Sequence, residues 1–209
     1  MTKAGDARRA AIAEQAVALA SVDGFDGLTF GSVAASTGVG KPALQTLFGS
    51  KETLQLAVLD AATTVWTTTV LRPASAEPDG LPQLRTLLAR WIDYLPTFRG
   101  GCPFIAGASE LDGRHGPVRE ALAAAIRGGE DLVRRQAALA IRLGELAADT
   151  DPDQVAYELH AVLLKANHDL QLFGDPSALD RARAAAEAVI ARHTRSCRDR
   201  KPLEATAAG

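Results

Sequence analysis

The stretch "TGVGKPALQTLFGSK", residues 37–51, constrains this chain more than any other. Gly38, Gly40 and Gly49 punctuate it and Pro42 sits inside it, so a helix there can run only between the glycines. Gly38 suits the left-handed turn that ends one helix, and Pro42 suits the first turn of the next, where a missing N–H costs nothing. Upstream, Thr29 is a fitting N-cap for "FGSVAAST". Further upstream Ile12, Ala16 and Leu19 recur at helical spacing until "SVDGFDG" supplies turn formers. The pattern predicts a helix followed by two short ones around a small core of Phe25, Leu28, Val33, Ala34, Leu44, Leu47 and Phe48. Lys41, Pro42, Gln45 and Thr46 then point away from that core, and Ser50 caps the helix that follows.

The rest of the chain also reads as helix, with no alternating pattern bounded by hairpin turns, so the fold class is all-α. Lys51 to Leu71 forms a longer helix, expected to stop at Pro73 and the loop "PASAEPDGLP". "LPQLRTLLARWIDYL" is another helix, followed by the glycine-rich "RGGCPFIAGASELDGRHGP" and an alanine-rich stretch from Val118 to Ala148. Gly128 and Gly129 interrupt that stretch and predict a kink or a close helix contact. Asp151 caps a helix to Phe173, and Ser177 opens a last one through about Thr194. With 209 residues, 47% of them hydrophobic, the chain has material for a substantial core. The expected organisation is a helix-turn-helix domain over residues 1–52, a larger helical domain over 53–197 and a flexible tail over 198–209, about nine helices in all.

Two short helices joined by a glycine turn, with a third packed over them, make a helix-turn-helix, whose DNA-binding version lays its second helix in the major groove. A formal net charge of −2 gives no overall pull toward nucleic acid, so any such affinity must be local. It is local here: no acidic residue lies between Asp26 and Glu52. Lys41 and Lys51 bracket the second helix as phosphate contacts, and Thr29 with the first N–H groups of the preceding helix offers another. Gln45 and Thr46 suit base edges, glutamine for adenine and the threonine methyl for thymine. Two cysteines, Cys102 and Cys197, lack zinc-site or disulfide spacing. No export signal and no run of membrane-spanning length is read, which predicts a cytoplasmic protein with no membrane partner. The four histidines, with only His168 beside Asp169, predict no metal and no cofactor.

Residues 8 to 60, with "IAEQAVALASVDGFDGLTFGSVAASTGVGKPALQTLFGSKETL", resemble the N-terminal domain of the tetracycline-repressor-type (TetR) transcriptional regulators, and "LFGSKE" is similar to that family's signature after the recognition helix. Gly40 stands where the family commonly has serine or threonine, Pro42 is unusual for it, and Gln45 replaces a frequent tyrosine. "GGCPFIAGASELDGRHGPVR" resembles one subgroup of the family's C-terminal half. The resemblance implies a DNA-binding region of Thr29, Gly40, Lys41, Pro42, Gln45, Thr46 and Lys51 acting on a pseudo-palindromic operator. It also implies a small-molecule effector that releases a repressor, and a homodimer whose last two long helices form a four-helix bundle. The residues allow that bundle. Val155, Leu159, Val162, Leu163, Ala166 and Leu170 make one stripe on their helix, and His160, Leu164, Asn167 and Gln171 another. Ala182, Ala185, Ala186, Val189 and Ile190 suit close helix approach.

Trp66, Trp91, Tyr94, Phe98, Phe104 and Phe173 are candidates for the wall of an effector cavity, against the alternative of ordinary core. Trp91 and Tyr94 lead, because a buried indole N–H or phenol needs a partner. Cys102 reads as a small buried residue or an oxidation-sensing thiol. The competing class, an all-α enzyme, has only His115 with Asp112 or Glu110 to offer. A third reading is a dimer acting through protein partners alone.

Overall fold

The structure, a computed structural model, describes residues 3–194. The tail expected over 198–209 and the thiol of Cys197 lie outside the described residues. Nine helices follow one another within them. In chain order they are α1 (Lys3–Asp23), α2 (Phe30–Thr37), α3 (Lys41–Phe48), α4 (Lys51–Ala74), α5 (Leu81–Tyr94), α6 (Pro103–Leu111), α7 (Pro117–Arg142), α8 (Pro152–Leu172) and α9 (Ser177–His193). Among the described residues the only β pairing is an isolated bridge between Leu146 and Thr194.

Local chemistry sets most boundaries. The Thr29 side chain accepts the Ser32 N–H while the Ser32 hydroxyl accepts the Thr29 N–H, a reciprocal cap that starts α2. Gly38, at φ 71°, ends it in the left-handed region. Pro42 lies in the first turn of α3, and the Ser50 hydroxyl accepts the Thr53 N–H to start α4. Pro73 does not stop α4. Residues Thr67–Leu71 form a wide π turn in which the Arg72 N–H reaches back five residues to the Thr67 carbonyl. A proline ring clashes with the carbonyl four residues earlier in a regular helix, and the widened turn gives it room.

Two apolar clusters make the core. The first joins α1, α2 and α3 through Val17, Phe25, Leu28, Val33, Leu44 and Phe48, and also takes Leu54, Val58 and Ala62 of α4, Leu111 of α6 and Leu122 of α7. The second takes Trp66, Val70 and Ala74 of α4 and binds it to α5, α7, α8 and α9. By length and composition α4 is apolar enough to cross a membrane, contrary to the sequence expectation, yet its apolar side chains are the ones embedded in these clusters. It is the spine shared by head and body.

Candidate functional site

The faces of α3 divide cleanly. Leu44 and Phe48 are buried in the head, each Leu-sized burial stabilising by about 1.5–3 kcal/mol. Arg9 of α1 lies 5.3 Å over the Phe48 ring and braces it from outside. Lys41, Pro42, Gln45 and Thr46 are all exposed, on the opposite side. The Thr46 hydroxyl donates to the Pro42 carbonyl at 3.0 Å, which turns its hydrogen inward and leaves its methyl for a partner. Lys41 makes no ion pair among the described residues. Lys51 behaves differently: its Nζ donates to the Asp26 carbonyl at 2.8 Å and lies 3.7 Å from that residue's carboxylate. Thr29 is exposed but its hydroxyl belongs to the cap of α2, and Gly40 forms the N-cap of α3 without any side-chain bond. The exposed face of α3 itself is uncharged apart from Lys41 and carries no carboxylate.

The loop between α1 and α2 fixes how this face is carried. Glu110 of α6 accepts the Phe25 N–H at 2.7 Å and the Asp26 N–H at 2.6 Å through its two carboxylate oxygens. Gln55 donates to the Phe25 carbonyl at 2.6 Å, Ser32 to the Gly27 carbonyl at 2.7 Å, and Arg114 pairs with the Asp26 carboxylate. Gly24, at φ 71°, leaves the space that the Glu110 carboxylate fills; a Cβ there would stand 2.4 Å from it. Glu110 therefore clamps the head to α6. The sequence pointed to Glu110 as a partner for His115 in an enzyme, but His115 is exposed and Glu110 is engaged by backbone. The signal for its true use, a carboxylate matched to a glycine turn 84 residues away, cannot be seen along the chain.

A cavity of about 470 Å³ lies between α4, α5, α6, α7 and α8. Trp66, Trp91 and Phe104 are on its wall with Leu132 and Leu164. The two indoles meet edge to face at 5.0 Å and 71°. Gly129 permits that arrangement, since a Cβ there would lie 2.7 Å from Trp91 Cη2. Neither indole N–H has a protein acceptor, nor does the buried Tyr94 hydroxyl; a buried donor left so costs about 1–3 kcal/mol. Tyr94 and Phe98 pack on each other at 6.1 Å in the adjoining core rather than on the wall. Phe173, just past the end of α8, is 66% exposed, meets His168 edge to face, and is not on the wall of this cavity.

Cys102, at the start of α6, also borders the cavity, and its N–H donates to the Asn167 side chain at 3.0 Å. Burial pushes its thiol up to about 11, although the Phe104 and Ile105 N–H groups pull the other way. Burial, and then the neighbouring Cys102, raise Tyr94 far above the usual phenol. Both stay neutral at physiological pH. Arg135 and His160 complete the wall, His160 with Nδ1 tied to Glu130. Sequence spacing missed them because they reach the cavity from separate helices. The stripe of His160, Leu164 and Asn167 thus faces the cavity and α6. A wider open groove of about 690 Å³ runs between α1 and α4, but it is a surface trough edged by Asp6, Arg9, Glu14 and Asp60.

A reading head with one exposed, acid-free helix, fastened to a helical body with its own apolar cavity, defines the class of helix-turn-helix DNA-binding regulators. The tetR-family model of bacterial regulatory proteins matches residues 12–58, and the tetracyclin repressor-like C-terminal domain matches residues 80–186. The chain belongs to the TetR family of DNA-binding transcriptional regulators. A TetR transcriptional regulator from Chloroflexus aurantiacus is 25% identical, with a TM-score of 0.84 over 93% of this chain and 99% of its own. A TetR-family regulator from Cytophaga hutchinsonii is 19% identical, with a TM-score of 0.81 over 94% and 99%. The TetR-family regulator CifR, 22% identical with a TM-score of 0.72 over 87% and 94%, was solved with 26-base-pair operator DNA. No curated protein matches the chain.

Proposed function

We propose that this protein is a cytoplasmic, ligand-responsive repressor that binds a pseudo-palindromic operator as a homodimer and leaves it when a small molecule fills the α4–α8 cavity. The observation that carries the reading is the exposed, carboxylate-free face of α3 held on a rigid head. Lys41 contacts a phosphate, Gln45 and Thr46 read base edges, and Gly40 and Pro42 let the start of α3 approach the groove. Lys51 reaches a phosphate by exchanging its Asp26 contact, and Thr29 sets the start of α2 so that its first N–H groups face the backbone. The dimer forms through α8 and α9, where Tyr157, Ala161 and Ala185 lie exposed along a groove. Its two α3 helices enter successive major grooves, about 34–36 Å apart per turn.

Release follows from linkage: a ligand that fits only one spacing of the heads lowers operator affinity, and operator lowers ligand affinity by the same factor. The effector acts through α4, common to both cores, and through α6, which borders the cavity and carries Glu110. Fluorescence anisotropy on the DNA upstream of the protein's own gene tests the reading. Wild type should bind with strong salt dependence, Lys41→Ala should lower the slope of log affinity on log salt by about one, and Gln45→Ala should cost about 1–3 kcal/mol at a single base position. Salt-insensitive binding, or no binding to any such duplex, defeats it.

A further inference from the structure

The cavity carries a chemistry of its own. None of its lining residues is acidic. The Trp66 and Trp91 indole N–H groups are donors without an acceptor. The Arg135 guanidinium makes no ion pair among the described residues, and its acidic neighbour Asp131 is held by Arg134. Arg135 is exposed, as are Thr67, Gly128 and Leu164, so these four mark the mouth, whereas Trp66 and Cys102 are buried at depth. The Glu130 carboxylate is bonded to His160 of the wall. The edge of one indole covers one face of the other, which reduces the aromatic face open to a cation. What remains is an apolar chamber without a carboxylate on its wall, with a cation at the door.

Resting on the ligand-responsive reading above, we propose that this cavity binds an apolar carboxylate, an acyl or aryl acid. Its hydrocarbon body lies among Trp66, Trp91, Phe104, Leu132 and Leu164. Its acid group accepts hydrogen bonds from Arg135. The planar guanidinium fork matches a carboxylate in two parallel bonds, and a cationic mouth without a carboxylate selects acid over alcohol and over ammonium. The cavity volume lies in the range of small-molecule sites.

The chain has two tryptophans and both are on this wall, so intrinsic fluorescence reports the cavity directly. The full-length protein is titrated with decanoate, 1-decanol and decyltrimethylammonium, each below its micelle concentration. Decanoate should give a saturable change at a concentration at least tenfold below the other two. Arg135→Gln should remove most of that advantage without altering 1-decanol binding, and Arg135→Lys should restore part of it. Equal or tighter binding of the alcohol or the ammonium, an unchanged decanoate affinity in Arg135→Gln, or no saturable signal from any of the three overturns the inference. Because the readout is fluorescence rather than DNA release, a neutral or cationic effector that still dislodged the operator would end this inference and leave the proposed function standing.

Discussion

Adjacent glycines in α7 show how one Cβ separates two roles. A Cβ on Gly128 would meet nothing within 4 Å, whereas one on Gly129 would strike the Trp91 ring. Gly128→Ala should therefore be neutral or stabilise by up to about 1 kcal/mol through helix propensity alone. Gly129→Ala should cost about 1–3 kcal/mol through overpacking and shift the tryptophan emission. Chemical denaturation with fluorescence detection compares them, and equal behaviour would show that Trp91 is not seated on Gly129. Cys102 gives a pH test of the same region. Its thiol is held up to about 11 by burial, while the unfolded chain releases its proton near the ordinary value. Between those values the folded state binds more protons, so stability falls as pH rises, by about 2–3 kcal/mol in full. Denaturation curves from pH 8 to 11 should thus be steeper in pH for wild type than for Cys102→Ala, and parallel curves would remove the argument.

Among the helices, α6 is held to the head by contacts distant in sequence. Its Gly107 lies so close to Phe25 that a Cβ would approach the ring to 2.7 Å, and its Glu110 holds the loop before α2. Replacing Glu110 by glutamine leaves one carbonyl oxygen for two N–H groups, so one buried donor loses its acceptor at a cost of about 1–3 kcal/mol. Operator binding should weaken while ligand titrations on the tryptophans stay near wild type, because the cavity side of α6 is untouched. If ligand affinity falls as much as DNA affinity, the clamp is structural only. The same contrast explains what the sequence made legible. Thr29, Gly38, Pro42 and Ser50 announce α2, α3 and α4 because caps and turns are local chemistry. "PFIAGASEL" is not separable from its glycine-rich flanks, because its one glycine, Gly107, is explained only by Phe25 and Leu122 pressing on it. Pro73 reads as a stop because a π turn leaves no composition signal. Trp66, Trp91 and Phe104 could be named as wall residues from their size, but Arg135 and His160 could not, since their meeting place is set by the packing of α7 against α8.

The whole molecule has to solve a problem that one subunit cannot, since a net charge of −2 offers no general attraction to DNA and a single head offers few phosphate contacts. Pairing two heads makes the second contact intramolecular, and such coupling commonly raises affinity by about 10²–10⁴-fold. In the proposed dimer the outward faces of α8 and α9 supply the surface for it. Tyr157 is 74% exposed, Ala161 and Ala185 are exposed, and Ala182 and Val189 close the groove between them. Ala185→Arg places a bulky charge on that surface without touching either core cluster. The variant should sediment as a monomer with an unchanged helical circular dichroism spectrum, and its operator affinity should fall by at least about 100-fold. Its slope of log affinity on log salt should drop to about half, because counterion release counts phosphate contacts and a lone head makes half of them. A monomeric variant that kept the wild-type slope would mean that all the phosphate contacts come from one head, and the twofold arrangement on DNA would have to be abandoned.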